Sequence, residues 1–287
     1  MKLYRLKIIV LCWIIAVIFA ACSSAPKKPL EVDVLRTIAE NWLEAGIKDA
    51  EQGKLDNALV ILTNAKKHAI LTDDSSLIIR VCLSRGNVLY SMNRINEAFS
   101  EWEQAVAEAE RFKNTELISA AKIFLARGNL LTERLSAQAL LNEVNRESAN
   151  IKNSRTFIAF SWQVKGLAFR ALGSFNEAEA AFRNSLEIHL KDRYLEQASY
   201  DWYSIASVRS LSGNIQGALS ALESSLEIDR RIENSWGIAS SYRAMGDVYR
   251  KAGRQNEALE SYRRARAIYV NMENASEVAD IDRRMRL

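Results

Sequence analysis

The sequence repeats itself every 40 residues over most of its length of 287 residues. One position of the repeat holds a small residue, and four residues before it stands a large or apolar one. The small residues are Gly46, Gly86, Gly166, Ala206 and Gly246, and the residues before them are Trp42, Cys82, Trp162, Trp202 and Tyr242. Self-similarity at a fixed period predicts stacked structural units, each packed on its neighbours, in place of ordinary globular domains.

Each unit is predicted to form two helices. Apolar residues spaced by four and seven positions lie on one helical face, and Gly or Asn, as at Gly53 and Asn93, separates the two halves. These two residue types tolerate the left-handed conformation that ends many helices. Good N-cap residues recur at the same period: Asp74, Asn114, Ser154, Asn234 and Asn274. The third unit departs from the pattern, since only Phe124 and Gly128 match and its second half, residues 135–148, is degenerate.

The repeat units resemble the tetratricopeptide repeat, in the variant that has longer helices and a period of about 40 residues. The strings Tyr242–Gly246 and Gly253–Ala258 carry this resemblance. The resemblance implies an all-α fold, a right-handed α-solenoid of about six helix pairs with a C-terminal capping helix. The expected solenoid spans 32–287, with repeats at about 39–78, 79–118, 119–158, 159–198, 199–238 and 239–278 and a cap at 275–287.

The N-terminus predicts export. Three basic residues precede fourteen apolar ones at 8–21, a stretch too short to span a bilayer as a helix. The string Phe19-Ala20-Ala21-Cys22 resembles the lipobox of bacterial lipoproteins, which implies a signal peptide at 1–21, lipidation of Cys22 and a tether over 22–31. Ser23 implies sorting to the outer membrane, facing the periplasm. An ordinary secretory signal, an uncleaved anchor, the inner membrane and the cell surface are the alternatives.

Export changes what charge and cysteine content indicate. The net charge of +4 includes three basic residues of the signal peptide, so the mature chain is almost neutral and nucleic acid is not an expected partner. Only Cys82 then remains as a free thiol, which excludes an intramolecular disulfide, and its place in the apolar pattern predicts burial. His68 and His189 are expected at the surface or at helix ends. No catalytic motif or metal-ligand cluster is present, so the sequence predicts no enzyme, cofactor or metal site.

The resemblance implies that the first helix of each pair lines a concave face on which peptides dock. Carried over position by position, it predicts these inner-face residues: Arg80, Asn87, Tyr90, Phe160, Gln163, Tyr200, Tyr203, Arg243, Asp247 and Arg250. The aromatic ones form either a docking floor or ordinary packing. Asn87 and Asn129 occupy the slot that carboxylate-clamping relatives use, but Leu83 and Leu125 replace the companion lysine, so that clamp is not predicted. Trp236 stands alone in a polar position, as an exposed contact or a local staple.

These features favour a membrane-anchored periplasmic scaffold that binds a protein partner in its concave groove. Lipoproteins similar to it assist pilus or secretion machinery, outer-membrane protein insertion or peptidoglycan enzymes. The alternative is an accessory lipoprotein of a transporter that handles a solute or lipid. An enclosed, dry cavity would favour the alternative, and a continuous open groove would favour the scaffold.

Overall fold

A computed structural model describes residues 34–286, which form thirteen helices and no strand. The predictions for the signal peptide, Cys22 and the tether lie outside the described residues. The helices are α1 Val34–Glu51, α2 Leu55–Leu71, α3 Ser75–Ser91, α4 Ile95–Phe112, α5 Thr115–Leu131, α6 Ala137–Ser148, α7 Arg155–Ala171, α8 Phe175–Asp192, α9 Leu195–Leu211, α10 Ile215–Arg231, α11 Ser235–Lys251, α12 Gln255–Asn271 and α13 Ala275–Arg286. Within residues 34–286, no helix combines the length and the apolar character that crossing a membrane requires.

The helices form six consecutive pairs followed by α13, which confirms the predicted all-α solenoid with a terminal cap. Each helix packs chiefly against its neighbours in sequence, as stacked repeats do. The pairs that begin with α3, α5, α7, α9 and α11 each start four residues before the expected repeat boundary. The difference arises because the sequence boundaries are counted from the small residue in the middle of the first helix, whereas each helix begins directly after its N-cap residue.

The turns inside the pairs explain why the repeat needs particular residues there. Gly53, Gly173, Gly213 and Gly253 have φ between 73° and 86°, a left-handed conformation that glycine adopts without strain. At the other helix joints, the side chains of Asp74, Asn114 and Ser154 accept hydrogen bonds from the backbone of the following helix. Both sequence predictions about the joints are therefore confirmed.

Close packing within each pair depends on the small residue of its first helix. A Cβ atom on Gly86 would lie 2.3 Å from Nε1 of Trp102, and one on Gly246 would lie 2.4 Å from Cε1 of Tyr262. Only a residue without a side chain admits these rings, so the glycine and the large residue sixteen positions later form one interlocking contact. Trp102 and Tyr262 are among the largest fully buried side chains of the described residues.

The third pair corrects the sequence register. Helix α5 begins at Thr115, midway between the starts of α3 at Ser75 and α7 at Arg155, so its small position is Ala126 and not Gly128. Gly128 packs against the six-membered ring of Trp102, with a Cβ at this position 2.3 Å from Cζ3, whereas Gly86 meets the five-membered ring. The glycine therefore marks a second contact with Trp102, two residues beyond the repeat position. The degenerate second half forms α6, which has 12 residues where the other second helices have 17 or 18.

Two residues of the predicted inner face, Asp247 and Arg250, bind the capping helix α13. Arg284 of α13 contacts both carboxylate oxygens of Asp247 at 2.6 Å, and the hydroxyl of Tyr262 donates to the same carboxylate. Arg250 donates to the carbonyl oxygen of Arg284. Asp247 and Arg250 thus bind the cap, because α13 covers the end of the stack where their side chains emerge.

The interlocking contact predicts a large difference between two tryptophans. Trp102→Ala removes a fully buried ring and leaves a cavity between two glycine-bearing helices, so the free energy of unfolding should fall by about 3–5 kcal/mol. Trp42→Ala is the matched control, since Trp42 is 37 % exposed and should cost less than about 1 kcal/mol. Urea unfolding followed by circular dichroism measures both, and equal losses would contradict this packing account.

Candidate binding cavity

The stack curves until its first turn meets its last repeats. Gln197 at the start of α9 donates a hydrogen bond to the carboxyl group of Glu51 at the end of α1. Beside it, a Cβ on Gly53 would lie 2.5 Å from Cε3 of Trp236 at the start of α11. We call this contact of Glu51 and Gly53 with Gln197 and Trp236 the seam. Gly173, Gly213 and Gly253 occupy the same turn position as Gly53, but a Cβ there would meet nothing within 4 Å.

The seam gives Trp236 a contact that neither sequence expectation included. Trp236 is half-buried, and its ring packs edge-on against Tyr269, with 5.5 Å between ring centroids. Its other contact, with Gly53, joins the first and the sixth helix pairs. Trp236 is therefore a long-range closure contact.

Closure leaves a cavity of about 1050 Å³ inside the curve of the stack. Its size lies at the upper end of the range for small-ligand pockets. Nine of the eleven predicted partner-binding residues line it: Arg80, Asn87, Tyr90, Phe160, Gln163, Tyr200, Tyr203, Trp236 and Arg243. Asp247 and Arg250 do not, for the reason given above. All nine come from the first helices of their pairs, so the structure brings together the face that the resemblance implied, while their role in binding stays a prediction.

Arg127 is the cavity residue that the sequence reasoning missed. Its Nη2 donates to Oδ1 of Asn87 at 2.5 Å, and its Nε is buried without a hydrogen-bond partner. No ion pair joins its guanidinium to a carboxylate of residues 34–286, and burial lowers the pKa of the group. The corrected register explains the omission. When Ala126 is taken as the small residue of α5, Arg127 is the residue of this repeat that corresponds to Asn87 of the preceding one. Asn129 does not correspond to Asn87.

Two aromatic rings hold Arg127 in place. Phe124 and Phe160 stack with their centroids 3.8 Å apart, and the guanidinium carbon lies 5.4 Å and 5.3 Å from the two centroids. A cation at this distance is attracted by the ring faces. The predicted aromatic floor is thus divided. Phe160 packs against its neighbour and supports the arginine, whereas Tyr200 remains 48 % exposed within the cavity.

The other charged groups of the cavity differ in whether they are neutralised. Arg243 pairs with Glu277 of α13 at 2.7 Å. Arg80 is exposed and makes no ion pair with any residue of 34–286. Glu51 lies at the seam, where burial and the nearby charge of Glu196 raise its pKa to about 8. Arg127 and Arg80 are therefore cationic groups without an acidic partner in ion-pair contact, and the raised pKa of Glu51 favours its neutral form.

A buried Ser–His–Asp group outside the cavity shows no catalytic geometry. Nδ1 of His189 lies 2.7 Å from Oδ2 of Asp201 and 3.4 Å from Oγ of Ser185, so one nitrogen serves both neighbours. A catalytic triad needs the hydroxyl on the other ring nitrogen. The expectation of a surface or helix-terminal place for His189 was wrong as to the surface: it lies in the last turn of α8 but is buried under α9. Gln163 also binds Asp201, so the group connects α7, α8 and α9.

The remaining reactive groups are structural. Cys82 is buried, as expected, and burial raises the pKa of its thiol to about 11. His68 is half-buried in the last turn of α2 and bonds through Nδ1 to the carbonyl oxygen of Asn64. Across residues 34–286, no three His, Cys, Asp or Glu side chains are grouped so as to hold a metal ion.

Comparison with known proteins identifies the repeats. Two tetratricopeptide-repeat family models match residues 161–191 and 196–269. A thermophilic tetratricopeptide-repeat protein of Thermus thermophilus matches with 20 % identity and a TM-score of 0.53, covering 72 % of this chain and 96 % of its own. No curated protein matches the sequence.

Two structures of Rap proteins are also similar. One, in complex with the Competence and Sporulation Factor, has 14 % identity and a TM-score of 0.59, and the match covers 85 % of this chain and 72 % of that one. The other is the Rap conjugation gene regulator of the plasmid pLS20 in complex with the Phr* peptide, with 15 % identity, a TM-score of 0.57, and coverage of 86 % and 78 %. These likenesses support the fold, and together with the family models they confirm the presence of tetratricopeptide repeats.

The unpaired state of Arg127 predicts an unusual effect on stability. Arg127→Met removes a buried charge that no carboxylate compensates, so the free energy of unfolding should stay unchanged or rise by about 1 kcal/mol. Arg85→Met is the matched control, because Arg85 pairs with the buried Glu101 at 3.0 Å and its loss should cost about 2 kcal/mol. Urea unfolding compares the two, and a loss at Arg127 as large as that at Arg85 would show that Arg127 is already satisfied.

Proposed function

From an array of tetratricopeptide repeats with an internal cavity, we propose a protein-binding scaffold that holds a peptide segment of its partner in that cavity. The observation that carries the proposal is Arg127, a guanidinium inside the cavity with a buried, unpartnered Nε and no acidic neighbour in ion-pair contact. A carboxylate on the bound segment would supply both the missing hydrogen bond and the missing charge.

The composition of the cavity wall favours a peptide over a lipid. Gln163, Asn87 and Arg80 present amide and charged groups beside the aromatic ones, and a peptide backbone can use all of these. Exposed aromatic side chains such as Tyr200 are efficient anchors for partner side chains. The two Rap structures, which share the fold, contain a peptide or a signalling factor, and this likeness supports the same use here.

The shape of the cavity bears on the second candidate function. A transporter accessory that handles a solute or lipid needs an enclosed cavity, and the seam closes only one side of this one. Its wall is not dry, however, since Arg127, Arg80 and Gln163 line it. An apolar ligand would leave these polar groups without water or partners, which is unfavourable. A ligand that carries an anionic group satisfies both the shape and the charge.

The proposed place of action rests on the sequence of residues 1–31. The basic and apolar segments before Cys22 and the string Phe19–Cys22 support lipid attachment, and Ser23 supports the outer membrane with the solenoid in the periplasm. Two or more acyl chains would hold the chain stably on that surface. There the scaffold would act in envelope assembly, in pilus or secretion machinery, outer-membrane protein insertion or peptidoglycan synthesis.

The peptide proposal is tested with a pool of random ten-residue peptides, made once with free C-terminal carboxylates and once as amides. The purified protein should retain peptides that carry acidic side chains or a free C-terminal carboxylate. The tightest of these peptides should bind at least tenfold more weakly to the Arg127→Met variant, because the carboxylate of the peptide loses its cationic partner in the cavity. Calorimetry gives the affinities, and the amidated copy tells a terminal carboxylate from a side-chain one.

The matched control is Arg170→Met, since Arg170 bonds to Ser207 and does not line the cavity. It should bind the selected peptide as the unchanged protein does. Equal affinity of the Arg127→Met variant would contradict the anchoring role of Arg127. Retention of apolar small molecules from cell extract, with no peptide retained, would favour the transporter accessory.

The anchor is tested separately in bacterial cells fed with radioactive or clickable palmitate. Label should enter the chain, and Cys22→Ser should abolish it, because only the Cys22 position follows the lipobox-like string. Globomycin should cause an unprocessed precursor to accumulate. An unlabelled but exported chain would indicate an ordinary secretory signal and would leave the cavity proposal untouched.

A further inference from the structure

The seam is held by few contacts of the described residues. The five apolar clusters of the described residues each join helices that follow one another in sequence, and none combines α1 or α2 with α9 to α13. Across the seam, the Glu51–Gln197 hydrogen bond and the packing of Trp236 on Gly53 tie the ends together. Segments held by few buried contacts open at lower free energy than the packed core. The seam should therefore part while every helix pair stays folded.

The seam is also a wall of the cavity. Glu51, Gln197 and Trp236 line the cavity on one side and form the closing contact on the other. Near them, residues 53–57 face residues 272–276 across a shallow recess of about 430 Å³. The cavity is already partly open to solvent, and parting these surfaces would open a further side of it, along the stack. A partner's segment could then enter sideways, without being threaded along the axis.

The charges around Glu51 do not favour an ionised carboxylate there. Partial burial and the neighbouring Glu196 of α9 disfavour the charge, and together they outweigh the hydrogen bond donated by the amide of Gln197, which favours it. From α11 Glu51 faces the uncharged Trp236, and Asp229 of α10 is a further carboxylate beside Glu196. On its own helix, Lys48 and Asp49 precede it, and Asp49 lies 3.9 Å from Lys54. No cation forms an ion pair with Glu51 among residues 34–286.

We propose that the seam is a gate for the cavity, closed while Glu51 is protonated and opened when Glu51 loses its proton. This proposal rests on the proposed function in one respect, that the ligand occupies the cavity. In the closed seam, Glu51 is half-buried beside Glu196, so its negative charge would have reduced access to water, a carboxylate neighbour and no counter-ion in ion-pair contact. In the open seam, water solvates the carboxylate.

The sign of the pH effect follows from proton binding. The pKa of Glu51 is about 8 in the closed seam and near its ordinary value of about 4.5 in the open one. Between these values the closed form holds a proton that the open form has lost, so raising the pH favours opening. The ratio of open to closed molecules should rise by up to about tenfold for each pH unit in this range. Below and above the range, Glu51 contributes no further change.

The test measures the distance across the seam in the full chain, purified in detergent and without ligand. Spin labels on p-acetylphenylalanine at Asn57 and Ser276, two exposed residues of the recess, report opening by pulsed electron paramagnetic resonance. At pH 5 the distances should form one short population, and at pH 8 a longer one should grow. A label pair at Asn57 and Asn96, in adjacent repeats, is the matched control and should not change.

Glu51→Gln decides whether Glu51 is responsible. It keeps the hydrogen-bonding shape without the charge, so its cross-seam distance should stay short at both pH values. Trp236→Ala should show the long population already at pH 5, with the same helix content by circular dichroism. The gate is overturned if the unchanged protein keeps one distance from pH 5 to pH 8, or if Glu51→Gln opens as the unchanged protein does. Since no ligand is present, this failure is separate from a failure of peptide binding, which the Arg127→Met calorimetry reports.

Discussion

The contact between a small residue on one helix and a large ring on its partner is the constraint on which the rest of the structure depends. At Gly86 and Gly246 a single methyl group would collide with Trp102 and Tyr262, so the two helices of these pairs approach closely. A small residue at the same position, Gly or Ala, recurs in every pair and allows the pairs to stack in a regular way. Curvature of the stack is the accumulated result.

Curvature, in turn, makes the cavity. Inner-face residues of distant repeats face one another only because the stack bends until Gly53 reaches Trp236. The same bend explains why a neutral Glu51 and an unpaired Arg127 are tolerated. Both lie where the chain encloses space, and no helix of their own pair supplies a counter-charge. A site that is electrostatically incomplete inside an otherwise well-packed solenoid is the expected form of a binding site.

Local features of the fold could be predicted from the sequence, because they depend on residues close together in the chain. The left-handed turn residues, the N-caps at Asp74 and Asn114 and the helix pairs follow from spacing alone. Most of the inner face followed as well, since a helical position that recurs in every repeat keeps its direction. Arg127 was missed because Gly128 resembles the repeat glycine but packs against the six-membered ring of Trp102 from outside the repeat position. The contact of the first turn with Trp236 could not be predicted, because it depends on small rotations that accumulate over five repeats. The sequence at residues 51–53 and around Trp236 contains no local pattern that indicates this contact.

The central claim is that the partner is bound inside the curve of the stack, and site-specific photo-crosslinking in living cells tests it most directly. Benzoylphenylalanine at Tyr203, which lines the cavity, should crosslink a partner, and the adduct should disappear when Arg127→Met is combined with it. The matched position is Tyr194, a tyrosine 45 % exposed at a helix joint outside the cavity, which should give no such adduct. Crosslinking of the same partner from Tyr194 but not from Tyr203 would contradict the account.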